Sequence, residues 1–165
     1  MDIRRAQPGD YDEALRLVKQ VHYMHYEHLS YLYNDIEPLP RDRFYEDLSK
    51  TDMITLMAFD GGVAVGICEV EFKHTGNNPV MRPRRLAYIN DICVDENARG
   101  RGIGRALYER ARAESQARDC DSIELMVWGF NENALKFYKA LGMDVRSYVM
   151  QDRLKLDDWL CNMIL

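Results

Sequence analysis

The stretch that decides the fold of this chain is residues 94–104, Val94-Asp95-Glu96-Asn97-Ala98-Arg99-Gly100-Arg101-Gly102-Ile103-Gly104. A β-like run, 88–94, overlaps their start, and a helical pattern, 102–118, begins at their end. Three glycines and two arginines therefore occupy a turn between a strand and a helix. Glycine lets the backbone turn tightly and lets a ligand approach it closely. The first turn of a helix also has amide N–H groups without intrahelical partners, at the positive end of the helix dipole. The stretch therefore predicts a binding site for a phosphate or pyrophosphate group.

The spacing of the glycines distinguishes between kinds of phosphate-binding loop. A dinucleotide-binding loop, G-x-G-x-x-G, would need a third glycine where Arg105 stands. A P-loop would need Gly-Lys followed by Ser or Thr, and the chain contains no such tripeptide. The pattern that fits is Arg99-x-x-Gly102-x-Gly104. It resembles the pyrophosphate-binding loop of the GNAT acyltransferase superfamily, whose members bind acetyl-CoA.

A second motif supports the same resemblance. Residues 131–143 read Asn131-Glu132-Asn133-Ala134-Leu135-Lys136-Phe137-Tyr138-Lys139-Ala140-Leu141-Gly142-Met143. They are similar to the other GNAT signature, N-x-x-A-x-x-F-Y-x-x-x-G-F, with Met143 in place of the last Phe. One predicted helix and one predicted strand separate the two motifs, which is the order that the family has. The specific part of the resemblance covers residues 88–150, and the N-terminal third matches only in the order of its elements.

The resemblance implies a set of residues around acetyl-CoA, which would be a co-substrate. Residues 99–105, here called the anion loop, would hold the pyrophosphate through backbone N–H groups, each contributing about 1.5–3 kcal/mol. A bulge in the family's fourth strand would bring backbone groups near Ile92 and Val94 to the pantetheine arm. Asn131 would bind that arm and also cap the next helix. The expected cofactor-binding residues are Ile92, Cys93, Val94, Arg99, Gly100, Arg101, Gly102, Ile103, Gly104, Arg105, Asn131, Ala134, Phe137 and Tyr138.

Acetyl transfer from a thioester to an amine needs an acid that protonates the departing thiolate. Tyr138 matches the family tyrosine that lies near the CoA sulfur. A tyrosine pKa of about 10 is close enough to that of a thiol for this proton transfer to have a free energy change near zero. The resemblance therefore implies that Tyr138 is the general acid. The alternative is a core aromatic residue like its neighbour Phe137.

The base that takes the amine proton is less well defined by the sequence. Tyr88 and Asn90 are expected to face the pocket and are the other two catalytic candidates. Asp91 is expected to lie on the opposite face, because side chains alternate along a strand. Glu69 and Glu71 on the neighbouring strand are the remaining carboxylates. The sequence leaves the choice among these groups, or a relay through water, open.

The composition is that of a soluble globular protein, with 165 residues, 47% hydrophobic and 30% charged. The net charge is −5 and no basic tail stands out, which argues against nucleic acid as a partner. No apolar run is long enough to cross a membrane.

The four cysteines form no C-x-x-C pair and no signal peptide is recognised, so we expect reduced thiols in a cytoplasmic protein. The apolar residues 156–165 predict either docking on the same domain or a homodimer contact.

The predicted order of elements is β-α-α-β-β-β-α-β-α-β. Strands are expected at 3–6, 53–59, 63–72, 88–94, 123–127 and 145–153. Helices are expected after an N-cap at Asp10 and at 41–48, 102–118 and 132–141. The strand–helix–strand unit from 88 to 127 requires a parallel crossover. We therefore predict one α/β domain, 1–165, with a mixed and mostly antiparallel sheet and helices on both faces. The GNAT resemblance implies the same fold.

Three histidines, His22, His25 and His28, repeat every third residue in the first helix. This spacing does not predict a metal site, because at 100° per residue the third histidine lies about 120° around the helix from the first. His22 and His25 share the apolar stripe of the helix. They are either buried histidines or part of an acceptor pocket that would include Tyr23, Tyr26 and Tyr31.

The acceptor is the least determined part of the function. The acidic balance and the Asp35-Ile36-Glu37 segment favour a cationic small molecule, although such a segment is also typical of solvated surface. We predict an N-acetyltransferase that moves the acetyl group of acetyl-CoA directly to the primary amine of a small molecule, without a metal. The alternatives are a protein or peptide N-acetyltransferase and a non-catalytic acyl-CoA-binding regulatory module.

Overall fold

The computed structural model describes residues 1–76 and 78–154. This part of the chain contains a five-stranded sheet in the order β1-β2-β3-β4-β5. The strands are β1 (Asp2–Arg5), β2 (Met53–Asp60), β3 (Val63–Thr75), β4 (Arg84–Val94) and β5 (Ser122–Leu125). The α-helices are α1 (Tyr11–His28), α2 (Arg41–Ser49), α3 (Ile103–Gln116) and α4 (Glu132–Ala140). Within the described residues, no helix has the length and apolar character needed to span a membrane.

The sheet combines three antiparallel pairings with one parallel pairing. β1 pairs with β2, β2 with β3 and β3 with β4, all antiparallel. Gly61 and Gly62 form the β2–β3 turn with φ values of 58° and 84°, a conformation that glycine adopts without strain. β4 and β5 are parallel, and α3 is the crossover between them. The sheet is therefore mixed and mostly antiparallel, as predicted.

Side-chain alternation gives the sheet a hydrophobic core on each face. On one face, Leu56 and Leu107 belong to a cluster that α3 covers. On the other face, Met57 and Leu17 belong to a cluster that α1 and α2 cover. Leu56 and Met57 are neighbours in β2, and both are 0% exposed, so this strand is buried on both sides. The presence of helices on both faces confirms the predicted α/β architecture.

The strand predicted at 145–153 is wrong. No helix or strand is assigned between α4 and Leu154, where the described residues end. Tyr148, Val149 and Met150 are 82%, 90% and 89% exposed. The aromatic side chain of Tyr148 and the β-branched side chain of Val149 favour an extended strand, but this segment makes no pairing with β5, the last strand of the sheet. The prediction for residues 156–165 falls outside the described residues.

Candidate active site

The sheet opens between β4 and β5. Their parallel pairing ends at Ile89 and Leu125, whereas β4 continues along β3 to Val94. From Asn90 onward, β4 therefore has one edge without a neighbouring strand in the described part of the chain. An edge of this kind presents backbone N–H and C=O groups that a ligand can bind.

A β-bulge lies at the start of this opening. Glu69 is the partner of Asp91 across β3 and β4, and Val70 is the partner of Ile89, so Asn90 has no partner of its own. The extra residue shifts the alternation of side chains by one position. Asp91 therefore lines the same cavity as Glu69. The prediction that Asp91 faces away from the pocket is wrong.

A cavity of about 350 Å³ lies at the opening, a size that suits a small ligand. Helices α1 and α2 and the segment between them form one wall, which includes Val18, His22, His25, Tyr33, Leu39 and Arg43. The strands and α4 form the other wall. Six residues predicted for catalysis or cofactor binding lie in this second wall: Tyr88, Asn90, Ile92, Asn131, Ala134 and Tyr138.

Glu69 and Asp91 form a pair of carboxyl groups in the cavity. Burial raises the pKa of Glu69 to about 7; the charges of Asp91 and Asp47 act in the same direction and Arg43 opposes them. Burial raises the pKa of Asp91 to about 6, and Arg43 again opposes the shift. The two residues are partners across β3 and β4, and the charge of Asp91 acts on Glu69, so we treat their titrations as coupled. The pair can therefore hold and release a proton near neutral pH.

Glu71, the other carboxylate on β3, does not line the cavity. Its Oε2 lies 3.0 Å from Lys73 Nζ and accepts a hydrogen bond from Asn90 Nδ2 at 3.5 Å. Lys73 Nζ also lies 4.6 Å from the ring centroid of Tyr88. Of the carboxylates considered from the sequence, the structure brings Glu69 and Asp91 into the cavity and leaves Glu71 outside it.

Tyr138 lies on the cavity face of α4 together with Asn131 and Ala134. Asn131 Oδ1 accepts a hydrogen bond from the backbone N–H of Ala134 at 3.0 Å, which confirms the helix cap expected from the sequence. Burial raises the pKa of Tyr138, and the nearby Cys68 and Asp91 raise it further. The phenol therefore remains protonated at neutral pH and is available as a proton donor.

The anion loop leads into α3 without a capping side chain. Gly100 and Gly102 have φ values of 76° and 80°, which require glycine or a strained residue. Gly102 is the N-cap of α3, no side chain caps the helix there, and its first turn has no acidic residue. A Cβ at Gly102 would meet no atom within 4 Å. The open space and the uncapped N–H groups fit a bound anion.

The arginines of the anion loop have partners within the protein. Arg99 and Arg105 donate to backbone carbonyls at 3.4 Å and 3.2 Å. Arg101 forms an ion pair with Asp60 at the end of β2. All three arginines are exposed, so their charges add to the positive end of α3. Backbone N–H groups remain the donors that the loop geometry itself provides.

Three of the predicted residues can offer a ligand little beyond their backbone. Cys93 is 5% exposed in the core beneath α1 and α2, and burial raises the pKa of its thiol to about 12. Ile103 is 3% exposed in the core beneath α3. A Cβ at Gly104 would lie 3.2 Å from Cζ of Phe137. Gly104 and Phe137 therefore allow α3 and α4 to approach closely, which holds the two motifs next to each other.

The aromatic part of the cavity wall differs from the prediction. His22 and His25 line the cavity, and burial lowers the pKa of His25. Tyr33 and Trp128 also line it, and Trp128 Nε1 donates to the Tyr33 hydroxyl at 3.1 Å. The three tyrosines expected there do not line it: Tyr23, Tyr26 and Tyr31. Among the described residues, no group of three or more His, Cys, Asp or Glu side chains could hold a metal ion.

Sequence reasoning missed Tyr33, Arg43 and Trp128 in the cavity wall. Trp128 had a usable signal, because it directly follows the strand predicted at 123–127, and ligands bind beyond the carboxyl ends of parallel strands. No signal in the sequence pointed to Tyr33 and Arg43, since their positions depend on how α2 and the segment before it pack on the sheet.

Comparisons with known proteins identify the family of this chain. A sequence model of the acetyltransferase (GNAT) family matches residues 21–143. Thialysine N-epsilon-acetyltransferase from Bos taurus is 28% identical over 160 residues, which cover 96% of this chain and 89% of the relative. The crystal structure of a tetramutant of a Bacillus halodurans protein has a TM-score of 0.90 and 35% identity, covering 93% of this chain and 100% of that chain.

A more distant structure shows the same fold. An aminoglycoside N-acetyltransferase in complex with CoA has a TM-score of 0.72 and 19% identity, covering 94% of this chain and 100% of that chain. The family match includes both motifs, the β4 bulge and most of the cavity wall. The chain therefore belongs to the acetyltransferase (GNAT) family and is an N-acetyltransferase.

Proposed function

We propose that this chain transfers the acetyl group of acetyl-CoA directly to the primary amine of a small molecule. The observation that carries the proposal is the cavity at the splayed β4–β5 junction, which brings Glu69, Asp91 and Tyr138 together. The uncapped start of α3 lies just beyond the end of β4. A proton acceptor and a proton donor thus share one cavity, and the start of α3 follows β4, a strand that lines this cavity.

The residues present fit acetyl-CoA, which the GNAT family uses. The anion loop offers its backbone N–H groups to the pyrophosphate. The free edge of β4 near Ile92 and Val94 offers hydrogen-bonding groups to the pantetheine amides, as does the side chain of Asn131. When bound, the thioester supplies the activated acetyl group.

We assign the role of the base, which the sequence left open, to the carboxyl pair of Glu69 and Asp91. An amine with a pKa of about 10.4 requires about 4.6 kcal/mol for deprotonation at pH 7. Glu69 and Asp91, with pKa values of about 7 and 6, are ionised enough near neutral pH to accept that proton. The neutral amine then attacks the thioester carbonyl, so that a C–N bond forms, the C–S bond breaks and the nitrogen releases its second proton to solvent. Tyr138 donates its proton to the departing sulfur and is reprotonated through the carboxyl pair or solvent.

Two observations support a small acceptor. The cavity is bounded on one side by α1, α2 and the segment between them, and its volume is about 350 Å³. Thialysine N-epsilon-acetyltransferase and aminoglycoside N-acetyltransferase are both named for small amines. The acidic segment around Glu37 adds little, because Glu37 already lies 3.2 Å from Lys19 Nζ. The attraction for a cationic amine comes instead from the cavity carboxylates.

The proposal is tested by measuring CoA thiol release across a library of small amines, with peptides bearing free N-termini and lysines included. We expect at least one class of small amine to be acetylated with a higher kcat/KM than any peptide. Faster turnover of a peptide would contradict the acceptor assignment. CoA binding without thiol release from any amine would instead identify a non-catalytic acyl-CoA-binding module.

Tyr138→Phe tests the general acid. We expect kcat to fall about 100-fold, the usual scale for a lost proton donor, while the Kd for CoA changes less than about threefold because the ring remains. Steady-state kinetics and calorimetric titration with CoA measure the two quantities. Tyr108→Phe is the matched control, since Tyr108 is 7% exposed in the core beneath α3 and should leave kcat unchanged. A Tyr138→Phe enzyme with the wild-type kcat would remove this hydroxyl from the mechanism.

A further inference from the structure

Arg43 of α2 is the only Lys or Arg side chain that lines the cavity in the described part of the structure. Its side chain is 65% exposed, and its Nε lies 3.5 Å from Asp47 Oδ2. Within residues 1–76 and 78–154, no hydrogen bond to its two terminal nitrogens is present, and Asp47 is the carboxylate with which it forms an ion pair. These nitrogens form a planar fork of N–H donors, the geometry that binds a carboxylate through two parallel hydrogen bonds.

Asp47 does not account for Arg43. Asp47 is 6% exposed, and its Oδ1 lies 2.7 Å from Lys50 Nζ. The buried carboxylate therefore has a closer cationic partner than Arg43. The guanidinium lines the same cavity as the carboxyl pair, and its charge opposes the upward pKa shifts of both Glu69 and Asp91. The lining of the cavity thus combines one guanidinium with two carboxyl groups.

We propose that the acceptor is a primary amine that also carries a carboxylate, with the carboxylate bound by Arg43 and the amine held at the Glu69–Asp91 pair. This inference rests on the proposed function and names the substrate class of the same site. Val18 and Leu39 in the same wall are apolar, which suits a methylene chain between two charged ends. A second cationic group in place of the carboxylate would be repelled by Arg43.

The test compares amino acids with their decarboxylated amines, from glycine and methylamine to ornithine and putrescine and to lysine and cadaverine. Each pair differs only in the carboxylate. CoA thiol release gives kcat and KM for both members with the wild type, Arg43→Gln, Arg43→Lys and Arg41→Gln. Arg41 is the matched control on the same helix, because its guanidinium lies over the Tyr11 ring and near Asp12 and does not line the cavity.

We expect the wild type to prefer the amino acid at one chain length by at least about tenfold in kcat/KM. Arg43→Gln should lower kcat/KM for that amino acid by about 10- to 100-fold, mainly through KM. It should not lower kcat/KM for the decarboxylated amine, and should raise it where that amine carries a second cationic group, because the repulsion by Arg43 is removed. For the amino acid, kcat/KM of Arg43→Lys should lie between those of the wild type and Arg43→Gln, since lysine keeps the charge and loses the planar fork of N–H donors. Arg41→Gln should keep the wild-type preference. The ratio of kcat/KM between the two members of a pair cancels any effect of Arg43 on Glu69 and Asp91, because that effect applies to both members.

Two results would overturn the inference while leaving the proposed function intact. One is a wild type that prefers the decarboxylated amine in every pair. The other is an Arg43→Gln enzyme that slows both members equally and shifts its pH profile upward, which would make Arg43 a partner of the carboxyl pair alone. Absence of thiol release with every amine would defeat the proposed function itself, and the inference with it. Thermal denaturation of each variant verifies that it folds.

Discussion

Gly102→Glu is expected to abolish CoA binding and to leave the fold intact. The substitution places a carboxylate at the N-cap of α3, beside the N–H groups that the proposed mechanism assigns to the pyrophosphate. Each hydrogen bond from a backbone N–H to a charged group contributes about 1.5–3 kcal/mol. Loss of two such bonds would weaken binding on the order of 100- to 10,000-fold, and charge repulsion adds to that loss.

The fold should survive because the position is open. A Cβ at Gly102 meets no atom within 4 Å, so the structural cost is the positive φ of 80°, on the order of 1–2 kcal/mol. Gly62→Glu is the matched control, with a φ of 84° and no atom within 4 Å of its Cβ. It adds the same charge and similar strain at the β2–β3 turn.

Calorimetric titration with CoA measures the binding, and thermal denaturation measures the stability. Gly102→Glu should show no heat of binding at CoA concentrations that saturate the wild type. Gly62→Glu should bind CoA with nearly the wild-type Kd and should melt at a similar temperature. Retained CoA affinity in Gly102→Glu would show that the start of α3 is not the anion site.

The two motifs were predictable because their structural requirements are local. Gly100 and Gly102 lie at positive φ, which few other residues tolerate, so the turn is visible in the sequence. Asn131 caps α4 through a contact three residues away, and N-caps have a strong residue preference. The strands and helices up to α4 followed from periodicity in the same way.

The parts that failed depend on non-local contacts. Strict alternation placed Asp91 away from the pocket, but the bulge at Asn90 shifts the register and brings it beside Glu69. A bulge of this kind is fixed by pairing between two strands, so a pattern read along one strand does not reveal it. Arg43 reaches the cavity through the packing of α2. The segment 145–153 has the composition of a strand but makes no pairing in the sheet.

Neutralising the carboxyl pair, with Glu69→Gln and Asp91→Asn together, is expected to lower kcat on the order of 1,000-fold. The variant keeps the shape of both side chains and removes both proton acceptors, and general base catalysis typically contributes about 100- to 10,000-fold. Each single variant should lose less, because the remaining carboxyl group can still accept the proton. Glu71→Gln is the matched control, since Glu71 lies on the same strand and outside the cavity. A double variant with wild-type kcat would exclude the pair as the base.

The pH dependence follows from the same pair. The pKa values of Glu69 and Asp91 in the folded protein are about 7 and 6. Because the base must be ionised, kcat/KM of the wild type should rise as the pH increases through 6 to 7 and then level off. The double variant should lose this rise. A wild-type profile without an inflection between about pH 5.5 and 7.5 would contradict the assignment.

The same substitutions should stabilise the fold above neutral pH. Both carboxyl groups have higher pKa values in the folded protein than their ordinary values of 4.5 and 3.8, so the folded state binds more protons than the unfolded state between about pH 4 and 7. Stability of the wild type therefore falls as the pH rises through this window, because ionisation of buried carboxyl groups is unfavourable.

Thermal denaturation should show the double variant more stable than the wild type at pH 8 and equally stable at pH 4. A double variant that is less stable at pH 8 would mean that the ionised pair stabilises the fold. The expected combination, a large loss of activity with a gain in stability at the same pH, identifies two charges kept in the cavity for catalysis at a cost to folding.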